Sequence, residues 1–385
     1  MFLKRVIEKN AELVDFALKL VGCGDIKPDT YVIDVDTLLD NSAKLLEAAT
    51  YEGIELYFMT KQIGRNPYIS QRLLEQGYRG AVCVDYKEAL HMIEHDIQIG
   101  HVGHLVQIPK NLIETILKAN PEIITVYTVQ KAMEISEVAS RLNKCVKLML
   151  RVVAESDYFY DAQVGGFRLD ELEASAMQIM SMDGVQIKGV TSFPCFVFDD
   201  EKLEVVATPN TKTLCEAQTI LEALGNTIEQ VNMPSNTSIG TIPLIRSAGG
   251  THAEPGHGLT GTVHEQGQRS IEEIPAMVYV SEISHNDRER AWFYGGGHYR
   301  RSHMESALVG KTLNSAVMTK VHTPKMESID YHFELEGSFD VSTPVLCAFR
   351  TQVFVTRSEV ALVKGLKAGC PELIGIYDAN GKVVK

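Results

Sequence analysis

The chain has 385 residues, 45% of them apolar, with a net charge of −13 and seven cysteines. That length exceeds one ordinary domain and suits a barrel-sized domain with a smaller companion, and the apolar share is ample for a large core. The acidic balance argues against nucleic acid or an anionic membrane as partner, since both require a basic face, and leaves a small molecule as the expected ligand.

Near the amino terminus Lys4, Arg5, Glu8, Lys9, Glu12 and Asp15 interrupt every apolar run, so neither a signal-peptide core nor a membrane span is expected there. Residues 1–29 read as a helical extension. The cysteines (Cys23, Cys83, Cys145, Cys195, Cys215, Cys347 and Cys370) are scattered without a C-x-x-C spacing, which predicts reduced thiols, no zinc framework and a cytoplasmic location. Residues 31–35 read as a short strand, and Leu38, Leu39, Leu45, Leu46 and Ala49 share one face of the helix that follows. Strand-like runs then recur at 54–59, 80–84, 97–101, 123–126, 146–153, 187–190, 229–232 and 251–254, separated by helix-like stretches. This alternation predicts parallel strands with right-handed crossovers, and its eight units predict an α/β fold in which a (β/α)8 barrel spans 30–265. Beyond Gln266, alternating runs at 276–280, 291–294, 345–349 and 352–355 predict a mostly β carboxy-terminal domain over 266–385.

The active site of such a barrel lies at the carboxy-terminal ends of its strands. In chain order those ends carry Lys61, Asp85, the pair His101 and His104, Tyr127, Arg151, the pair Ser192 and Phe193, Ser235-Asn236-Thr237, and Glu254-Pro255-Gly256-His257. Loops after the last two strands commonly hold a phosphate. The hydroxyls of Ser235 and Thr237 and the backbone N–H groups of Gly256 and His257 are therefore the expected cradle. One lysine after the first strand and one carboxylate after the last suggest a lysine-bound aldehyde cofactor whose ring nitrogen faces Glu254.

Each of these residues also has a plainer reading. A lysine after a barrel strand is usually a solvated charge, and a lone glutamate usually caps a helix or pairs with an arginine. The H-x-x-H pair His101 and His104, without a carboxylate partner in the sequence nearby, is a weak metal signature, and no metal is assigned. The glycine run 295–297 lacks the strand–turn–helix setting of a dinucleotide loop and reads as a tight turn. Arg350 and Arg357 are candidates for a substrate carboxylate, yet arginines on a sheet face are commonplace.

Nearly the whole chain resembles the alanine-racemase-like, fold type III, group of pyridoxal-phosphate enzymes, which pair an eight-stranded barrel with a β domain. The motifs behind the resemblance are the lead-in Tyr31-Val32-Ile33-Asp34-Val35-Asp36 with Leu38 and Asn41, the lysine Lys61, the pair Ser235-Asn236, and Glu254-Pro255-Gly256. Ser235-Asn236 resembles the family's phosphate-binding Asn-Ser turn in reversed order. Glu254-Pro255-Gly256 resembles the E-P-G segment of related decarboxylases, where alanine racemases carry R-P-G. The run from Met59 to Pro67 is most similar to a little-characterised bacterial branch.

The resemblance implies pyridoxal 5′-phosphate as cofactor, Lys61 as its Schiff-base anchor, and a homodimer whose active sites are shared. Arg151, Phe193, Ser235, Asn236, Thr237, Glu254, Gly256 and His257 are the expected cofactor residues. Phe193 stands near the place of a ring-stacking histidine in the decarboxylases. Tyr299, after the glycine turn, is the expected acid on the opposite face of Cα, with His298 and Cys347 as weaker candidates. A carboxylate beside the ring nitrogen keeps that nitrogen protonated and makes the ring a strong electron sink. Such a sink serves racemisation, decarboxylation and lyase chemistry alike. An amino-acid racemase is the first expectation. A decarboxylase or lyase, and a non-catalytic cofactor-binding protein, stand as alternatives. Residues 199–210 read as an inserted loop that shapes specificity.

Overall fold

A computed structural model describes residues 2–325 and 327–385, which divide into two compact units. One comprises Leu45–Thr60 and Ser70–Pro255; the other comprises Met1–Lys44, Lys61–Ile69 and Gly256–Lys385.

The first unit is a parallel barrel of eight strand positions, all of which the apolar runs predict. Its strands are Glu55–Leu56 with Phe58–Met59, then Ala81–Cys83, Ile99–Val102, Ile123–Val126, Val146–Val153, Val185–Thr191, Gln230–Asn232 and His252–Ala253. Neighbours pair in chain order, each parallel to the next. The first strand is broken at Tyr57: its Phe58–Met59 half pairs with the second strand and its Glu55–Leu56 half with the eighth, which closes the ring. Strands covered on both faces are mostly apolar, and Ala81–Cys83, Ile99–Val102 and Ile123–Val126 are buried at every position, the polar His101 and Thr125 included. The helices Tyr86–Glu94, Val129–Arg141, Leu172–Met180 and Asn210–Ala223 lie between strands in the expected alternation. Asp85 begins the first of these by accepting the Glu88 N–H at 2.8 Å, an ordinary N-cap role. The predicted insertion after the sixth strand is a β-hairpin, Phe196–Asp199 paired antiparallel with Glu204–Ala207.

The second unit is built on a nine-stranded sheet, antiparallel except for one pair. That pair departs from the sequence reading. Thr30–Asp34, expected to lead into the barrel, runs parallel to Glu359–Lys364 and antiparallel to Met277–Asp287. Its five residues are all buried, so periodicity identifies a covered strand but not the sheet that covers it. Consequently the expected boundary at residue 30 does not coincide with a unit boundary. The expected strand at 352–355 is also different: Val353–Val355 forms a 3-10 turn, with Arg65 over the Phe354 ring at 5.0 Å, and the next sheet position goes to Glu359–Lys364. The amino-terminal helices Phe2–Lys9 and Ala11–Gly22 are as expected, and Leu13, Val14, Ala17, Leu18 and Val21 join Val278, Val280 and Leu346 in one apolar core. All seven cysteines are free thiols, and no helix among the described residues is long and apolar enough to cross a membrane.

Candidate functional site

Closing the barrel brings the eighth strand's Glu254 against side chains from the third, fourth and seventh strands. His101 Nδ1 lies 2.6 Å from Glu254 Oε1, and Asn232 Nδ2 donates to the same oxygen at 2.8 Å. Behind His101, the Thr125 hydroxyl lies 2.5 Å from Nε2. His104 Nε2 stands 3.9 Å from the other carboxylate oxygen, Oε2. Thus the H-x-x-H pair does have a carboxylate partner, which sequence spacing had not supplied. Burial pushes the Glu254 carboxyl up, but the imidazoles of His104 and His101 beside it and the hydrogen bonds from His101 and Asn232 outweigh it and hold the group down at about 2. Glu254 is therefore an ionised carboxylate in a fully covered place. Its Oε2, and Oδ1 of Asn232, are buried without a hydrogen-bond partner.

Arg151, near the end of the fifth strand, is 1% exposed. Its Nη1 donates to Tyr127 Oη at 2.7 Å and its Nη2 to the Gln163 carbonyl at 2.6 Å, while Nε is buried and unbonded. Among the described residues no carboxylate lies within ion-pair distance of it. A buried guanidinium without a counter-charge is costly, so this one is suited to an anionic oxygen of a ligand. Phe193 follows the sixth strand with its ring edge-on to His104 at 5.5 Å and tilted to Tyr160 at 5.7 Å. It thereby belongs to the same lining as the Glu254 network.

After the seventh strand, Ser235 and Asn236 both have positive φ, 95° and 51°. Two consecutive left-handed residues make a sharp turn of the backbone at this strand end. The Asn236 side chain itself is spent on the hairpin, donating to the Phe196 carbonyl at 3.0 Å, and the Thr237 hydroxyl accepts the Glu254 N–H at 3.4 Å.

In the other unit, half-buried Lys61 opens the turn Lys61–Ile63, one residue beyond Thr60. A Cβ at Gly256 would stand 2.4 Å from Gln62 Oε1, so the end of the Gln62 side chain would have to shift to admit one. His257 Nδ1 lies 2.9 Å from the Thr262 hydroxyl, and its Nε2 is buried without a hydrogen-bond partner. Burial, followed by the charges of Arg350, His264, Lys61 and Arg301, pushes the His257 ring well below the ordinary histidine range. Tyr299 is half-buried at a turn in which its carbonyl accepts the Ser302 N–H. Of the weaker candidates, burial pushes the Cys347 thiol far up and lowers the His298 ring.

Comparison with known proteins decides the family. Residues 33–264 match the model of the alanine racemase N-terminal domain, and residues 278–373 match a YhfX-like C-terminal domain. The chain belongs to the alanine racemase-like family. It is 43% identical over 382 residues to the uncharacterized protein YhfX of Escherichia coli K12, covering 99% of both chains. Among solved structures it resembles the D-threonine aldolase of Filomicrobium marinum, with a TM-score of 0.68 at 13% identity over 94% of this chain and 97% of that one. It also resembles the D-threo-3-hydroxyaspartate dehydratase of Delftia sp. HT23, with 0.67 at 14% over 90% and 97%, and the alanine racemase of Clostridium difficile 630, with 0.65 at 13% over 92% and 99%. At such identities these likenesses establish the fold, and the three names span three reactions. The family binds pyridoxal 5′-phosphate. The barrel residues suit that group: an ionised buried carboxylate with an open oxygen for a ring N–H, and an unpaired buried guanidinium for an anionic oxygen.

Proposed function

We propose that this protein is a pyridoxal-phosphate-dependent enzyme acting at Cα of an amino acid, and that it is an amino-acid racemase. The observation that carries the cofactor assignment is Glu254, ionised and fully covered, with Oε2 unbonded beside Asn232 and His101. When bound, the cofactor supplies an electron sink for the pair released when a bond at Cα breaks. Lys61 Nζ is assigned as the covalent anchor for the aldehyde, being a single lysine immediately past the first barrel strand. Glu254 Oε2 would accept the ring N–H and keep that nitrogen protonated. Arg151 would hold an anionic oxygen of the cofactor, Phe193 would supply an apolar face to it, and Ser235, Asn236 and Thr237 with the backbone at Gly256 and His257 would hold its phosphate.

For racemisation the proton at Cα must leave from one face and return to the other. Lys61 Nζ takes the first face. Tyr299 Oη, from a second copy of this chain in a homodimer, takes the second. A decarboxylase or lyase is the alternative, favoured by the carboxylate at 254 where alanine racemases carry arginine.

Absorption spectroscopy with added pyridoxal phosphate, borohydride reduction and peptide mass mapping test the anchor. A visible band trapped onto Lys61, and lost in Lys61→Ala, is the expected result; an adduct spread over surface lysines would refute the assignment. In deuterated solvent a racemase labels Cα of both enantiomers of its substrate, whereas release of carbon dioxide or a carbonyl fragment identifies the alternative.

A further inference from the structure

How Glu254 is held bears directly on its proposed task, and the inference rests on the reading of Glu254 as the partner of the cofactor's ring nitrogen. An ionised carboxylate only accepts hydrogen bonds, so the proton between Glu254 Oε1 and His101 belongs to Nδ1 of the imidazole. On the far side of the ring, Nε2 faces the Thr125 hydroxyl, which is 1% exposed and, among the described residues, has no other hydrogen-bond partner. Were Nε2 also protonated, two hydrogens would compete for one contact. The Thr125 O–H would then be buried without an acceptor and would carry its full desolvation cost. With Nε2 as an acceptor, every proton in the row has a partner.

We propose that Thr125 and His101 form a one-way hydrogen-bond relay, Thr125 O–H to Nε2 and Nδ1–H to Glu254 Oε1, with His101 as the positioning residue that leaves Oε2 as the acceptor for the ring nitrogen. Asn232 binds Oε1 from the seventh strand at 2.8 Å, so the same oxygen is held twice and the other is reserved. The relay also sets the local charge. With a single proton on His101, the row carries the one negative charge of Glu254, which matches one protonated pyridine nitrogen; a doubly protonated His101 would cancel it beforehand.

Other titratable groups surround the row. His104 stands 3.9 Å from Oε2, beyond hydrogen-bonding distance. Burial lowers His252 to about 4 and raises the Cys195 thiol, so both are neutral near pH 7.

Nitrogen NMR tests the relay in two independent ways. In full-length protein without cofactor and with 15N-labelled histidine, His101 should show a proton on Nδ1 and a bare, hydrogen-bonded Nε2 near neutral pH. Thr125→Val should shift Nε2 and leave Nδ1 nearly unmoved. In protein loaded with 15N-labelled pyridoxal phosphate, the ring nitrogen should be protonated in the wild type. It should remain so in His101→Asn, whose amide nitrogen can stand in for Nδ1, and should move toward the unprotonated shift in His101→Phe. A doubly protonated His101, or a ring nitrogen as fully protonated in His101→Phe as in the wild type, would overturn the relay. Wild-type protein that takes up no cofactor at Lys61 would instead sink the reading of the cofactor site, while the measurement without cofactor still decides the relay.

Discussion

At Glu254 the charge state rather than the shape sets what the site can do. Its carboxyl is held at about 2 against an ordinary 4.5, so the native state binds this proton less readily than the unfolded chain. The resulting stabilisation is complete above pH 4.5, is lost as pH falls toward 2, and amounts to something on the order of 3 kcal/mol. Glu254→Gln should therefore lack this part of the acid dependence. Denaturant titrations at several pH values between 5 and 2 check it, and parallel slopes for variant and wild type would show that the carboxylate is not specially held. Lys61 and Glu254 could be picked from the sequence because each follows a predicted strand end and is flanked by a run that resembles the family's. His101 could not be joined to Glu254, because 153 residues separate them and only closure of the ring brings them together.

Among the elements, the barrel strands were the most legible part of the chain, since strands covered on both faces read as short, mainly apolar runs. Pairing partners were less so. Thr30–Asp34 shows a covered strand without naming its sheet, and Val353–Val355 carries the apolar side chains of a strand yet closes into a turn. The break in the first barrel strand was likewise invisible. There Tyr57 fills the barrel, with its hydroxyl 2.9 Å from Gln230 Nε2 and its ring against Gly100 of the third strand. A Cβ at Gly100 would meet Tyr57 Cδ1 at 2.3 Å, and Tyr57 is wholly buried and tied at its far end. Gly100→Ala should accordingly destabilise the protein by about 1–3 kcal/mol through overpacking. Chemical denaturation measures this, and an unchanged midpoint would mean that Tyr57 moves aside freely.

For the molecule as a whole, buried carboxyls of opposite pH response stand in the two units: Glu254 in the barrel and Asp29 in the sheet unit. Asp29, in the sheet unit, accepts from Tyr279 Oη at 2.9 Å and Ser358 Oγ at 2.5 Å. Burial nonetheless raises its carboxyl from 3.8 to about 6, those two hydrogen bonds only partly opposing the shift. A raised native pKa stabilises below the unfolded value and the effect is lost as pH climbs through the native one, here between about 4 and about 6. Asp29→Asn should gain on the wild type across that interval and hold its advantage above it, as thermal melts from pH 4 to pH 8 would record. An advantage that shrinks with rising pH would contradict the assignment.

The strand Thr30–Asp34 carries one more consequence. It begins the chain's approach to the barrel, yet its neighbours in the sheet, Met277–Asp287 and Glu359–Lys364, come from the far end of the chain. A gene cut near codon 265 would separate what look like two modules and would leave this strand on one side and both of its partners on the other. Recombination there between diverged relatives would mate a strand with foreign neighbours. The head and tail of the chain are therefore expected to be inherited together, and the sheet unit to resist exchange as a cassette.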